Sequence, residues 1–366
     1  MYFDAVVIGS GLTGCTIAER IANVCGRKVL VIEKRDHIGG NAYDYYDDNG
    51  ILVQKYGPHG FHTNSDKVFN YLSKFTGWNS FAHRVFADVN GKIVPLPVGI
   101  PTLEQLYGRK FTPSSMRSFL DKRKVNVEAI HSSRDYIVSH VGEELYELLF
   151  KYYSKKQWGV FPDKLDASVA MRLPIRFNRD TRYHESRFQG NPRHGFFRMT
   201  GNMLRGKNIS LLLNTDYKDI IKSLRYRCLI FTGPIDYFFD YKFGKLPYRS
   251  LDFRFKTFNR EWFQPYPQVN FTLTRKYTRI SEYKHFYFQK HDKTTVCYEY
   301  PKAYGEPYYP ILTQENIEKH DRYRKLKKRK NIFFIGRLAE YKYLNMDQVV
   351  ENALTLFRTR LKKELL

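Results

Sequence analysis

The chain is poor in cysteine, short of acidic residues, and without any long apolar run. Its four cysteines, Cys15, Cys25, Cys228 and Cys297, form no CxxC pair and no cluster with histidine at ligand spacing. That pattern argues against zinc or any other metal and leaves reduced thiols acting as small buried side chains. No stretch reaches the roughly 18 apolar residues that a membrane-spanning helix needs. The opening MYFDAVVIGS lacks the basic leader of a secretory signal. A cytoplasmic protein with no stable membrane insertion is therefore expected. Acids are scarce beside bases: 37 Asp and Glu face 61 Lys and Arg, a formal net charge of +24. Such an excess suits a nucleic acid, an anionic small substrate such as a nucleotide, or a solvated basic surface. The densest basic run, Lys325 to Lys330 (KLKKRK), continues a polar stretch from Gln314 that has helical character. A solvated helix face is expected there.

What is present is more specific. At 366 residues the chain exceeds one compact core, so two or three domains are expected. Residues 4–8 (DAVVI) read as a buried strand, followed directly by Gly9-Ser10-Gly11-Leu12-Thr13-Gly14. Residues 13–25 then have helical character, and 28–34 (KVLVIEK) form a second apolar strand ending at Glu33. A lone GxGxxG is weak, but between a strand and a helix, with an acid closing the next strand, it marks a dinucleotide-binding βαβ unit. The glycines allow a tight turn and close approach to a pyrophosphate, and the helix N-terminus presents free N–H groups to it. Glu33 can accept hydrogen bonds from the ribose hydroxyls, and its charge disfavours a 2′-phosphate, which argues against NADP.

Arg35-Asp36-His37-Ile38-Gly39-Gly40-Asn41 follows without a break. An acid at the strand end with a double glycine soon after resembles the large FAD-binding superfamily that includes amine oxidases. The resemblance implies FAD. It assigns the cofactor to Gly9, Gly11, Leu12, Thr13, Gly14, Glu33, Lys34, Arg35, Gly39, Gly40 and Asn41.

Further on, Gly57-Pro58-His59-Gly60-Phe61-His62-Thr63 resembles the GPHxFHT segment of the bacterial UDP-galactopyranose mutases. In that family the segment lies beside the flavin ring, which implies a role for His59 and His62 at both flavin and substrate. The likeness continues through Tyr153-Ser154-Lys155-Lys156-Gln157-Trp158-Gly159, Tyr277-Thr278-Arg279-Ile280, Pro307-Tyr308-Tyr309-Pro310 and Phe334-Ile335-Gly336-Arg337. It implies that Tyr153 and Trp158 serve the nucleotide end. Arg172, Tyr183, Arg279, Tyr309, Arg337 and Tyr343 would hold the diphosphate, with Tyr308 a weaker candidate than Tyr309. Asn270 joins the substrate set, and Gly336, Arg337, Asn345 and Met346 join the cofactor set. Asn345 departs from the family, which usually carries Asp there.

The expected fold class is α/β: a Rossmann-like FAD-binding domain with an inserted helical domain and an antiparallel β-sheet domain. The expected division is 1–78, 190–245 and 320–366 for FAD; 99–160 for the helices; and 79–98, 161–189 and 246–319 for the sheet. Helices are expected over 102–107, 113–123 and 135–155, the last from apolar residues at helical spacing. Aromatic and polar residues alternating from about 246 to 300 predict antiparallel strands.

The family resemblance implies a redox-neutral isomerase, a homodimer, that interconverts UDP-galactopyranose and UDP-galactofuranose. Its chemistry is covalent attack of reduced flavin N5 on the anomeric carbon, so that the sugar ring can open and reclose. His59, His62, Arg172, Arg279 and Arg337 are the expected catalytic set. Gly60 stands where the family usually has a larger apolar residue, and the room this implies predicts activity on UDP-N-acetylgalactosamine as well. Two rivals share less of the sequence. A flavin amine oxidase-like oxidoreductase would share only the FAD fold, and a nucleic-acid binder would share only the charge.

Overall fold

The computed structural model describes residues 2–172, 174–273 and 275–366. Its first elements follow from the apolar patterning. Strand β1 (Tyr2–Ile8) is buried almost throughout, as a central parallel strand covered on both faces must be. Helix α1 (Leu12–Cys25) begins directly after Gly11 and ends at Gly26, which adopts the left-handed conformation (φ 66°) that closes a helix. Strand β2 (Val29–Ile32) returns parallel to β1, with Ala5 opposite Val29 and Ile8 opposite Ile32.

These strands belong to a five-stranded parallel sheet in the order 332–334, 225–231, 2–8, 29–32, 209–212. One face is covered by α1 and the C-terminal helix Met346–Leu356, and the other by an aromatic group including Tyr217, Phe231 and Phe238. Because every strand points the same way, their C-terminal ends share one edge. Gly9, Glu33, Thr232 and Ile335 leave the sheet there, where α/β sheets bind their ligands.

A second sheet has seven strands in the order 309–310, 248–258, 294–302, 279–282, 268–271, 85–89, 92–96. Its pairs are antiparallel except for 268–271 beside 85–89. Helices Ile100–Tyr107 and Pro113–Asp121 and the helical segment from Ser133 pack with this sheet's edge hairpin around one apolar core. Among the described residues no helix is long and apolar enough to cross a membrane.

Three details differ from expectation. The single helix expected over 135–155 is broken at Gly142, whose φ of 81° is non-helical and whose Cβ position lies 2.3 Å from the Arg123 carbonyl oxygen. A wider turn (Tyr146–Lys151) and a last helix (Tyr152–Trp158) follow. Segment 161–189, expected with the antiparallel sheet, supplies no strand to it among the described residues. Its Arg176, 4 % exposed, instead donates from its backbone N–H to Val98 and from its side chain to the carbonyls of Arg182 and Tyr183. Finally, helix Gln314–Lys325 stops where the basic run begins. Continuing it would stack like charges three and four residues apart, so all of KLKKRK after Lys325 lies beyond the helix and not on its face.

Candidate active site and cofactor cleft

The C-terminal edge of the parallel sheet opens into a cavity of about 620 Å³. Gly9, Gly11, Leu12, Thr13, Glu33, Lys34, Arg35, Gly39, Gly40 and Asn41 all line it. The glycines are there for space. A Cβ on Gly9, at φ +96°, would sit 2.2 Å from Thr232 Oγ1. A Cβ on Gly40, at φ +58°, would sit 2.8 Å from Gly11 Cα, so any side chain would close the cleft. Gly14 does not line the cavity. Its hydrogen faces the Gly9 carbonyl, where a Cβ would lie 1.9 Å away, and this lets α1 pack under the turn.

Glu33 braces that turn as well as facing the cavity. One carboxylate oxygen accepts from the Ser10 N–H (2.8 Å) and Ser10 hydroxyl (2.7 Å), and the other accepts from the Arg35 N–H (3.0 Å). Oε2 is thereby saturated, and Oε1 keeps one lone pair for a ribose hydroxyl. Arg35 is held by Glu306 (2.6 Å) and by Asn41 Oδ1 (2.9 Å). The cradle of glycines, the open N-terminus of α1 and the acid at the end of β2 fit a dinucleotide cofactor.

A larger cavity of about 1070 Å³ adjoins the first. His59, Arg337 and Met346 line both, so this is where a cofactor ring would meet a substrate. The larger cavity is also lined by His62, Tyr153, Trp158, Arg172, Tyr183, Asn270, Arg279, Tyr309, Tyr343 and Asn345. They come from seven separate stretches of chain. His62 and Asn345, expected at the cofactor, line only this second cavity.

Tyr308 is the one expected substrate residue that the structure places elsewhere. Neighbours on a strand face opposite ways, so while Tyr309 enters the cavity, Tyr308 turns into an aromatic cluster with Tyr56 and Phe253. Its hydroxyl donates to Glu306.

The guanidinium groups define the electrostatics. Arg279 pairs at 2.7 Å with Glu299, which is fully buried. Arg172 lies 3.8 Å above the Tyr343 ring and donates to Asn345 Oδ1. Arg337 donates to the Leu344 carbonyl (2.5 and 3.2 Å) and lies 5.4 Å from the Tyr343 ring centre. Neither Arg172 nor Arg337 has a carboxylate partner among the described residues. Burial pushes the Arg337 guanidinium below its ordinary range, the cost of holding a cation with no counter-ion. Trp158 meets Tyr309 and Tyr343 edge-on, at 5.9 and 5.4 Å between ring centres.

His59 is kept neutral, its pKa lowered to about 4 by burial and by Arg337 and Arg279. Its Nδ1 lies 2.8 Å from the Gly57 carbonyl oxygen. Nδ1 must therefore carry the proton, which leaves Nε2 as an acceptor. His62 stacks on His184 (3.5 Å between ring centres, 11° apart), and its Nδ1 lies 3.0 Å from Ser186 Oγ. His184, His83 and Gln268 line the same cavity and were not singled out from the sequence. No local motif flags them; strand pairing and the Arg176 strut bring them in.

The comparisons agree with this geometry. The family model described as UDP-galactopyranose mutase matches residues 148–343, and a model described as NAD(P)-binding Rossmann-like domain matches residues 7–75. The chain is 36 % identical to a probable UDP-galactopyranose mutase of Klebsiella pneumoniae, over 96 % of this chain and 93 % of that one. The chain belongs to the UDP-galactopyranose mutase family. As a mutase of that family it is an isomerase, and its cofactor is FAD, which the glycine cradle fits. The chain is also 37 % identical to a dTDP-fucopyranose mutase of Escherichia coli, covering 95 % of this mutase and 96 % of the relative. In fold it matches a crystal structure of reduced UDP-galactopyranose mutase, with a TM-score of 0.76 at 15 % identity, over 99 % of this mutase and 94 % of that chain.

Proposed function

We propose that this mutase interconverts UDP-galactopyranose and UDP-galactofuranose, with the diphosphate held by Arg172, Arg279 and Arg337. The observation that carries this reading is the pair of guanidiniums, Arg172 and Arg337, facing one cavity without a carboxylate between them. A half-buried cation without a counter-ion is stabilised by a bound anion, and two of them match a diphosphate, which guanidinium forks bind well. Reduced FAD would supply, at N5, the nucleophile for the anomeric carbon.

The side chains do the rest. The arginines stabilise charge on the departing UDP and keep it close for recombination. Burial raises the Tyr183 hydroxyl to about 12, so it stays protonated and can donate to phosphate. Neutral His59, open at Nε2 and lining both cavities, can accept a hydrogen bond from a sugar hydroxyl. Tyr153 and Trp158 serve the nucleotide base. The family resemblance further supports a cytoplasmic homodimer and the three-part division expected from the sequence, apart from segment 161–189.

Activity on UDP-N-acetylgalactosamine has less support. The Cβ direction of Gly60 is filled by the His83 side chain at 3.3–3.5 Å. A larger group at C2 would therefore require His83 to move.

The test is anaerobic. Dithionite-reduced enzyme is incubated separately with UDP-galactofuranose, its N-acetyl analogue and dTDP-fucofuranose, and conversion to the pyranose is followed by chromatography. Conversion of UDP-galactofuranose by reduced enzyme and not by oxidised enzyme supports the proposal. Faster conversion of the dTDP sugar, or none of UDP-galactofuranose with FAD still bound, overturns the substrate assignment.

A further inference from the structure

The active site uses little of the net charge of +24. Much of the rest gathers at the N-terminal edge of the five-stranded sheet, the end away from the cofactor cleft. Parallel strands share a starting edge, and the approach to four of the five is basic. Arg27-Lys28 precedes β2, and Arg205-Gly206-Lys207 precedes strand 209–212. Arg225 and Arg227 open strand 225–231, and Lys327 to Lys330 precede strand 332–334. Every one of these basic side chains is exposed except Arg27, which is half-buried.

The end of the chain adds to the same edge. Arg27 Nε donates to the Leu365 carbonyl at 2.6 Å, which ties the last helical turns to the start of β2. Arg360 and Lys327 lie 5.9 and 5.3 Å from the centre of the Phe333 ring, beside each other. Exposed Arg358, Lys362 and Lys363 extend the patch. The four approach segments contain no Asp or Glu; Asp4 and Glu364 are interleaved among the basic groups, beside Lys28 and Arg360. Two apolar side chains protrude from the same edge: Tyr2 at the start of β1, 53 % exposed, and Val24 at the end of α1, 42 % exposed.

We propose that this edge docks on an anionic phospholipid bilayer. The observed combination is what such a surface recognises: basic side chains spread over a face, for the diffuse negative potential of the headgroups, with an aromatic and an aliphatic side chain at headgroup depth. A nucleic acid would use the charge but offers nothing to Val24. Strands of seven residues place the edge about 20 Å from the cofactor cleft. Docking would therefore leave the substrate cavity open to solvent while holding the enzyme at the membrane. No spanning helix is needed, and none is found among the described residues.

The test uses the full-length, FAD-loaded enzyme and vesicle sedimentation. Wild type should sediment with phosphatidylcholine–phosphatidylglycerol vesicles and not with phosphatidylcholine alone, and added salt should release it. Each basic residue near an anionic surface contributes roughly five-fold to binding. The variant K327E/K328E/R329E/K330E should therefore bind at least about a hundred-fold more weakly while keeping its flavin and turnover. If that variant loses flavin, K362E/K363E serves in its place. Val24→Asp should weaken vesicle binding several-fold and leave any binding of duplex DNA unchanged. The proposal is overturned if wild type ignores the mixed vesicles, if the charge-reversed variants bind as well as wild type, or if duplex DNA at equal charge concentration displaces the protein.

Discussion

Arg172 holds its guanidinium 3.8 Å above the ring of Tyr343 and donates a hydrogen bond to Asn345. A loop cation is thus parked over the substrate cavity by an aromatic face and a neutral acceptor. Removing it should cost turnover and spare the cofactor. In Arg172→Ala we expect normal flavin absorbance and a fall in kcat/KM of roughly a hundred-fold or more, the scale for losing a donor to developing negative charge. Turnover near wild type would sink the assignment of Arg172 to the diphosphate.

Asn345 offers a second test. Its backbone N–H donates to Gln348 Oε1 at 2.8 Å, at the start of helix Met346–Leu356, while its side chain serves Arg172. Asn345→Asp would give Arg172 a charged partner and lower the positive potential that an incoming diphosphate meets. KM for the nucleotide sugar should rise several-fold, with a smaller change in kcat. An unchanged KM would show that Arg172 binds substrate independently of its partner.

The buried pair Arg279–Glu299 sets a stability prediction. Glu299→Ala would leave Arg279, which is 2.7 Å from Glu299 in the intact pair, without a counter-ion in the cavity wall. Stranding one member of a buried pair costs about 3–5 kcal/mol, measurable as a lower urea midpoint. Added UDP should restore part of the loss by supplying anionic oxygens. Full stability in the variant would mean that water reaches the site freely.

Burial sets the direction of the pH dependence. His59 and His83 are lowered to about 4 and about 3, chiefly by burial, against about 6.5 in an unfolded chain. Between those values the unfolded chain binds protons that the folded chain refuses. Stability is therefore complete above about pH 6.5 and falls as the pH drops, by at most about 1.4 kcal/mol per unit for each histidine. Urea midpoints taken across this range should decline on the acid side, and His83→Gln should flatten the slope.

Gly40→Ala tests the cofactor cradle. The added methyl would lie 2.8 Å from Gly11 Cα, at a φ that disfavours any side chain. We expect a folded protein that loses most of its bound flavin, read from its visible absorbance.

Much of this was legible because it is local. The βαβ unit shows as a strand, a glycine turn and an acid at the next strand end, and each piece acts on a ligand that sits at its own backbone. Most of the expected cavity residues also lie in contiguous motifs, and they do line the two cavities. What was not legible depends on which distant segments meet. His83 and Gln268 reach the cavity because strand 268–271 pairs with strand 85–89 across some 180 residues of sequence. His184 reaches it because strand 188–190 pairs with strand 61–63, next to His62.

The choice between Tyr308 and Tyr309 turned on which face of a strand looks inward. The break at Gly142 turned on the approach of Arg123, and the end of the helix at Lys325 turned on charge crowding. The sequence by itself determined the cofactor cradle and the chemistry of the side chains available, since turn geometry and charge are properties of neighbouring residues. Only the tertiary structure decided which cations lack a counter-ion, which histidines stay neutral and where the surplus charge collects, because burial and distance between remote side chains exist only once the chain has packed.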